Sequence, residues 1–460
     1  MFKSHRSPYI SGIYSRRRRR FAFPWKTTLA LLGGLIILEL GTRLALNFTG
    51  QATPINDASN EPAVAYKLQF FNPRGRALSG LAREGQLRLQ QRALLSYQLV
   101  SEQSSPFWTI NAQGFRDTEP VPVDKPEGEI RIFILGGSAA FGQWLPSDDA
   151  TMAANLERRL QERLEQQVRS PEKYRPNVLP ATGAPRTQAL ALPAKLRDAN
   201  YRVINAAVPG YVAPNHLAQL ATNILPYQPD VIVLLSGYED LLLPGEREAA
   251  SIPQLDQFLN QPLYHFWAYL SEPIARFIRN TALFRATQFW LLRPQPRPAE
   301  TSLPLSASTQ PLDDRLPRTE RQLEQRLVRY DAAVKQMARL SAGANVPLIV
   351  ALQPEISGIS PEKLQDNEAE IVSQLGSDYL QRAQAGFARL GETNDRLGEA
   401  FPGNVKILNY YDLYDQYSAE AFIDAVHLNA PANQALAERF YNAIAELPQL
   451  QVQSQEVIRP

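Results

Sequence analysis

The sequence predicts an α/β fold, a three-layer α/β/α sandwich around a central parallel sheet of about five strands. Three observations point there. Short apolar runs at 130–136, 201–207, 230–236, 347–353 and 405–410 alternate with helical patterns at 150–168, 214–225, 319–342, 361–398 and 430–446. Strands separated by helices build a parallel sheet covered on both faces. Val231-Ile232-Val233-Leu234-Leu235 is apolar throughout, as a central strand buried on both faces should be. Finally, the run Glu129 to Leu135 stops abruptly at Gly136-Gly137 and delivers Ser138. That reads as a buried strand carrying a serine to its C-terminal end, where open parallel sheets place their ligand sites.

Composition narrows the possible functions. The chain has 460 residues, enough for a large core, and a formal net charge of only +2, which gives no general case for nucleic-acid binding. Cysteine is absent, so disulfides, thiolate metal sites and cysteine nucleophiles are excluded. The four histidines are His5, His216, His265 and His427. That number argues against a multi-histidine metal site, and no organic cofactor is called for.

The chain divides as follows. Residues 1–26 are basic, with an unbroken run from Arg16 to Arg20, and are expected on the cytoplasmic side. Residues 27–46 are expected to form a transmembrane signal anchor, which reaches spanning length only by including Glu39 and Arg43. Those two stand four apart and can pair on a helix. The main domain is then expected to be extracytoplasmic, on the periplasmic side if the envelope is of the Gram-negative type. Residues 47–106 read as a stalk with some helix near Gly85 to Leu99, residues 107–447 as the main domain, and residues 448–460 as a C-terminal tail. Two insertions interrupt the main domain. Residues 170–195 look like a surface excursion. Residues 244–318 hold many aromatics and then a Pro/Ser-rich linker, and read as core packing, a lid or a membrane-surface element. Ser360-Pro361-Glu362 reads as a helix start, with serine as cap and proline in the first turn.

Serine-dependent ester cleavage needs a serine, a base, a group that orients the base, and donors for the oxyanion. Ser138 and His427 supply the first two. Asp424, three residues before His427, is close enough to reach the far ring nitrogen. Ser138 is not in a G-x-S-x-G elbow, which disfavours the usual α/β-hydrolase arrangement. The glycines also lack the spacing of phosphate-binding loops.

These residues carry a resemblance to the SGNH/GDSL hydrolase family, in particular its membrane-anchored bacterial members. The first block resembles Gly136-Gly137-Ser138 with Gly142. The second resembles Asn205-Ala206-Ala207-Val208-Pro209-Gly210. The third falls on Gly237-Tyr238-Glu239-Asp240, and the fifth on Asp424, His427 and Leu428. The resemblance implies a flavodoxin-like sheet, Ser138 as nucleophile, His427 as general base and then acid, and Asp424 as its orienting group. It also implies that the backbone N–H groups of Ser138 and Gly210 are oxyanion donors. The family's third donor is an asparagine side chain, and here that position holds Glu239. An ionised glutamate accepts but does not donate, and losing one such donor costs about 10²–10³ in rate. Three outcomes are open: a protonated Glu239 that donates, a Glu239 that swings out while Asn215 or a backbone group substitutes, or a disabled site.

The expected function is a membrane-anchored esterase, deacetylase or lipase-like hydrolase acting on a carbohydrate or lipid ester through an acyl-serine. The alternatives are an O-acyltransferase or a non-catalytic binding protein of the cell envelope on the same fold, both motivated by Glu239. His216 and His265 are expected at the surface or in packing. Arg116 and Asp117 are expected as a turn pair, and Gln353 as a residue at the site's edge.

Overall fold

The computed structural model describes residues 25–48, 87, 89–92, 95–105, 107–243, 281–283 and 315–456. The chain forms two compact units, one of residues 1–60 with 270–294 and one of the remainder. In the first unit, α1 runs from Trp25 to Phe48. Glu39 pairs with Arg43 at 2.8 Å, as the four-residue spacing predicts. It also accepts the backbone N–H groups of Ala282 and Leu283 at 2.8 and 2.9 Å. Among the described residues, no helix is long and apolar enough to cross a membrane. Residues 27–46, expected as a transmembrane anchor, are helical within α1, with the charged Glu39 and Arg43 inside the apolar run. Apart from residues 281–283 and 315–318, the insertion at 244–318, with His265, lies outside the described residues, as does His5.

The second unit opens with two antiparallel pairs: β1 (Leu89–Arg92) with β2 (Ser96–Leu99), and β3 (Gln103–Ser104) with β4 (Thr109–Ile110). The helix expected near Gly85 to Leu99 is therefore a hairpin. Its sequence alternates, Leu87-Arg88-Leu89-Gln90, and a period of two is a strand signal. Leu87, Leu95 and Leu99 are buried, and Leu95 accepts a hydrogen bond from the Asn215 amide at 2.9 Å. This stretch packs into the domain.

The sheet follows, with β5 at Glu129–Gly136, β7 at Asn200–Asn205, β8 at Val231–Ser236, β9 at Leu348–Leu352 and β10 at Val405–Asn409, while the short β6 at Val178–Leu179 lies outside it. All neighbours are parallel, in the order β10-β9-β8-β5-β7. Each lies where an apolar run predicted it. The first strand of this sheet in the chain, β5, takes β7 on one side and β8 on the other, so the strand order reverses at β5. Such a switch point opens a crevice at the carboxyl ends of the strands, and Ser138 stands there. Every residue of β5 and β8 is buried, which requires cover on both faces. The helix at Met152–Arg169 packs with the one at Ala430–Ala445, and the helix at Glu320–Gly343 packs with those at Ala213–Gln219 and Ser377–Ala400.

Two local readings change. Ser360 makes no side-chain cap, and Pro361–Lys363 is only a 3-10 turn. The helix begins at Asp366, where Gln365 and Glu368 form a capping box, and it breaks at Gly376, whose φ is +82°. The surface excursion contains a helix, Ala184–Ala191, and a strand, Val178–Leu179, paired in parallel with Gln455–Glu456 of the tail.

Candidate active site

The turn that carries Ser138 is fixed by close backbone packing. A Cβ on Gly136 would run into the Leu235 carbonyl on β8 and into Ala140, so only glycine fits. The short helix Ser138–Phe141 starts at once and ends at Gly142, in the left-handed region at φ +82°. Its last carbonyls, at Phe141 and Gly142, both accept from Arg116, beside the Asn205 amide on Phe141 and the Leu145 N–H on Gly142. The Arg116 guanidinium is buried. It donates to the carbonyls of Phe141, Gly142 and Phe107 at 2.9, 2.9 and 2.6 Å, and to Asp148 at 2.7 Å. Arg116 is therefore not half of a local turn pair with Asp117, which instead pairs with Arg202 at 3.0 Å. Nothing in the local sequence pointed to Phe141 or Asp148 as its partners.

Asn205 stiffens the same turn. Its amide donates to Ala140 and Phe141 at 3.3 Å each and accepts the Ala207 N–H at 3.1 Å. The loop that follows is tied to β5 by Val208 N–H to the Gly136 carbonyl, at 3.0 Å. Gly210, in that loop, has φ +80°. The buried Asp240 accepts the Ala213 N–H at 2.9 Å and so links the loop to the third block. Burial pushes its carboxyl up to about 7, against the opposing Arg329 charge.

At the other end of the chain, Asp424 and His427 meet as the spacing predicts. The His427 Nδ1 lies 2.6 Å from Asp424 Oδ2. The other oxygen, Oδ1, accepts the backbone N–H groups of Val426 and His427 at 3.0 and 2.9 Å. The loop is clamped by Ile423 N–H to the His427 carbonyl at 2.8 Å, and by the buried Glu368 carboxylate on the N–H groups of Ala421 and Phe422. Burial raises the Asp424 carboxyl, but His427 and the backbone donors outweigh it and hold it below the usual range.

Trp144 is a site residue that sequence reasoning missed. Its indole N–H lies 3.0 Å from Asp424 Oδ2 and 3.1 Å from His427 Nδ1. Indole is a donor only. The arrangement is consistent if Nδ1 carries the histidine proton and both N–H groups point at Asp424. That network assigns the tautomer and leaves Nε2 as the basic nitrogen. Nε2 is buried and makes no hydrogen bond. Trp144 has φ +75°, unusual for a bulky residue, which marks a functional or strained position.

Glu239 sits against Ser138. Its Oε1 accepts both the Ser138 N–H and the Ser138 hydroxyl, each at 2.8 Å. It neither swings out nor leaves its place to Asn215. The Asn215 amide is committed to Leu95 and to the Val212 N–H. The remaining candidates sort plainly. His216 is buried, packed edge-on against Tyr211 at 5.8 Å, and burial lowers it to about 3, so it stays neutral. Gln353 is fully buried just beyond β9, with both amide atoms unbonded. Behind it lies Glu355, which sequence reasoning also missed. It accepts from Ser357 and from the Tyr379 hydroxyl at 2.9 Å, and burial pushes it up to about 7. Among the described residues, no cluster of histidine and carboxylate side chains could hold a metal ion.

Chemically, the arrangement offers a half-exposed serine hydroxyl at a strand end, an oriented imidazole with a free basic nitrogen, and loops rich in backbone donors. No curated protein sequence matches the chain. Solved structures similar to this chain include the lipase/acylhydrolase from Enterococcus faecalis, 12% identical, with a TM-score of 0.35, covering 71% of this chain and 100% of that one. The acetylxylan esterase of Geobacillus stearothermophilus is also 12% identical, with a TM-score of 0.33 and coverage of 70% and 97%. An alpha/beta hydrolase enzyme from the metagenome of Lake Arreo, Spain, is 14% identical, with a TM-score of 0.33 and coverage of 68% and 94%. None of these likenesses bears on substrate. The profile of the GDSL-like lipase/acylhydrolase family matches residues 132–440, from within β5 to within the last helix. With Ser138, Asn205, Asp424 and His427 inside that span, the chain belongs to the GDSL-like lipase/acylhydrolase family.

Proposed function

We propose that the chain is a serine ester hydrolase of the cell envelope, acting on a carbohydrate or lipid ester. Ser138 attacks the acyl carbonyl and forms an acyl-serine. His427 Nε2 takes the serine proton and returns it to the leaving alcohol, while Asp424 and Trp144 hold the ring. Water then attacks the acyl-serine with His427 again as base. The observation that carries this reading is the Asp424–His427 contact of 2.6 Å with Nε2 left unbonded. The test is direct: the full chain is incubated with an activated acetyl ester, quenched in acid and digested. An acetyl group on the peptide containing Ser138, absent from Ser138→Ala, is the expected result. Acetylation elsewhere, or none in protein that turns over the ester, would remove the mechanism.

A second reading is favoured by Glu239. A carboxylate on the Ser138 N–H opposes a developing oxyanion, which motivates a non-catalytic binding protein or a slow O-acyltransferase on the same fold. Transfer of the acyl group to an added sugar, faster than to water, separates the transferase. Attachment to the membrane is part of the proposal. Its supports are the run Arg16 to Arg20 and the exposed Ile36, Ile37, Leu40, Leu44 and Phe48 of α1. Full-length protein found in the supernatant and not in the membrane fraction after cell lysis would contradict this attachment.

A further inference from the structure

We propose that Glu239 occupies the oxyanion hole of the resting site, and that Gly137 is the residue that admits it. The inference rests on the reading of Ser138 as nucleophile. An acyl carbonyl attacked by Ser138 Oγ must place its oxygen within reach of the Ser138 N–H. Glu239 Oε1 already stands there, 2.8 Å from that nitrogen and 2.8 Å from Oγ. A carboxylate oxygen bonded to a backbone N–H has the charge and position of the oxyanion itself.

Two further observations fit a stopper. The hydroxyl proton of Ser138 is spent on Glu239, and His427 Nε2, the base that should take it, makes no hydrogen bond. In addition, any Cβ at position 137 would land on the Glu239 carboxylate, well inside contact distance. Glutamate is one methylene longer than asparagine or aspartate. The glycine gives that extra length a place to lie. An aspartate at 137 would both collide with Glu239 and repel it. Gly137 and Glu239 are therefore a fitted pair, and an acyl substrate has to displace the carboxylate before Ser138 can react.

The experiment measures labelling of the full chain by a fluorophosphonate, whose tetrahedral adduct puts an oxygen in the hole. Glu239→Ala removes the stopper without supplying a donor. Glu239→Asn removes it and restores the donor. Labelling of Glu239→Ala is expected to be at least about 10-fold faster than wild type, and that of Glu239→Asn about 10²–10³-fold faster. Ser138-dependent labelling that is no faster in Glu239→Ala than in wild type overturns the stopper. Labelling that persists in Ser138→Ala sinks the nucleophile reading beneath it, which keeps the two failures apart. Thermal unfolding gives a second arm. Gly137→Ala is expected to lower the melting temperature in the wild-type background and to do so much less in Glu239→Asn. Equal losses in the two backgrounds overturn the pairing of Gly137 with Glu239.

Discussion

The two halves of the site differ in readiness. On the histidine side, Asp424 accepts from His427, Trp144 and two backbone N–H groups, and the imidazole is fixed in one tautomer. On the serine side, the backbone N–H and the hydroxyl of Ser138 both end on Glu239. One half is assembled for proton transfer and the other is filled by the protein's own carboxylate. The lesson is that acid–base geometry and oxyanion geometry are separable. A chain can keep the first intact while altering the second by one residue.

Breaking the ready half should have the largest effect. Loss of the base in His427→Ala is expected to lower Ser138-dependent turnover by about 10⁴-fold, measured with a chromogenic acetyl ester at neutral pH. Unchanged turnover would remove His427 from the mechanism. Next in size is Arg116→Met, which removes the buried donors to Phe141, Gly142 and Phe107 and leaves Asp148 without its ion-pair partner. It should cost about 3–5 kcal/mol in urea unfolding, where a loss below about 1 kcal/mol would show that the clamp matters little. Trp144→Phe keeps the ring and removes one donor to a charged acceptor. About a 10-fold loss in kcat with little change in KM is expected. A change confined to KM would make Trp144 a substrate contact instead.

The smallest effect concerns pH. Glu355 is held near 7 by burial, above the ordinary carboxylate range. Between about pH 4.5 and 7 the folded protein keeps a proton that the unfolded chain releases, so stability falls as pH rises through that window and levels off above it. Asp240 acts in the same direction. Glu355→Gln should therefore reduce the fall in melting temperature between pH 5 and 8 without abolishing it. An unchanged slope would place the Glu355 carboxyl outside the titrating set.

Legibility from sequence followed the same division. The five sheet strands showed as apolar runs because a strand buried on both faces has no polar option. The Asp424–His427 contact was readable because three residues of chain fix it. Trp144 was not readable, since it reaches its partners across the fold, and Glu355 was not, since its burial and its bond to Tyr379 depend on how the helix Ser377–Ala400 packs. Trp144 lies 280 positions from Asp424. Glu239 was visible as a departure, but its contact with Ser138, 101 positions away, depends on how β5 and β8 end side by side. Arg116 was set aside as a turn residue because its acceptors are backbone carbonyls, which leave no mark in the sequence. The hairpin at Leu89–Leu99 was misread from a pattern that does alternate, because few of its side chains are strongly apolar.

The central claim is that Ser138 carries acyl chemistry. The most direct test is steady-state hydrolysis of chromogenic esters, from acetyl to long acyl, by the full chain and by Ser138→Ala, each also carrying Glu239→Asn. The account predicts turnover that disappears with Ser138 in both backgrounds and is higher wherever Glu239 is replaced. Folded protein that hydrolyses esters equally with and without Ser138, in either background, would contradict it.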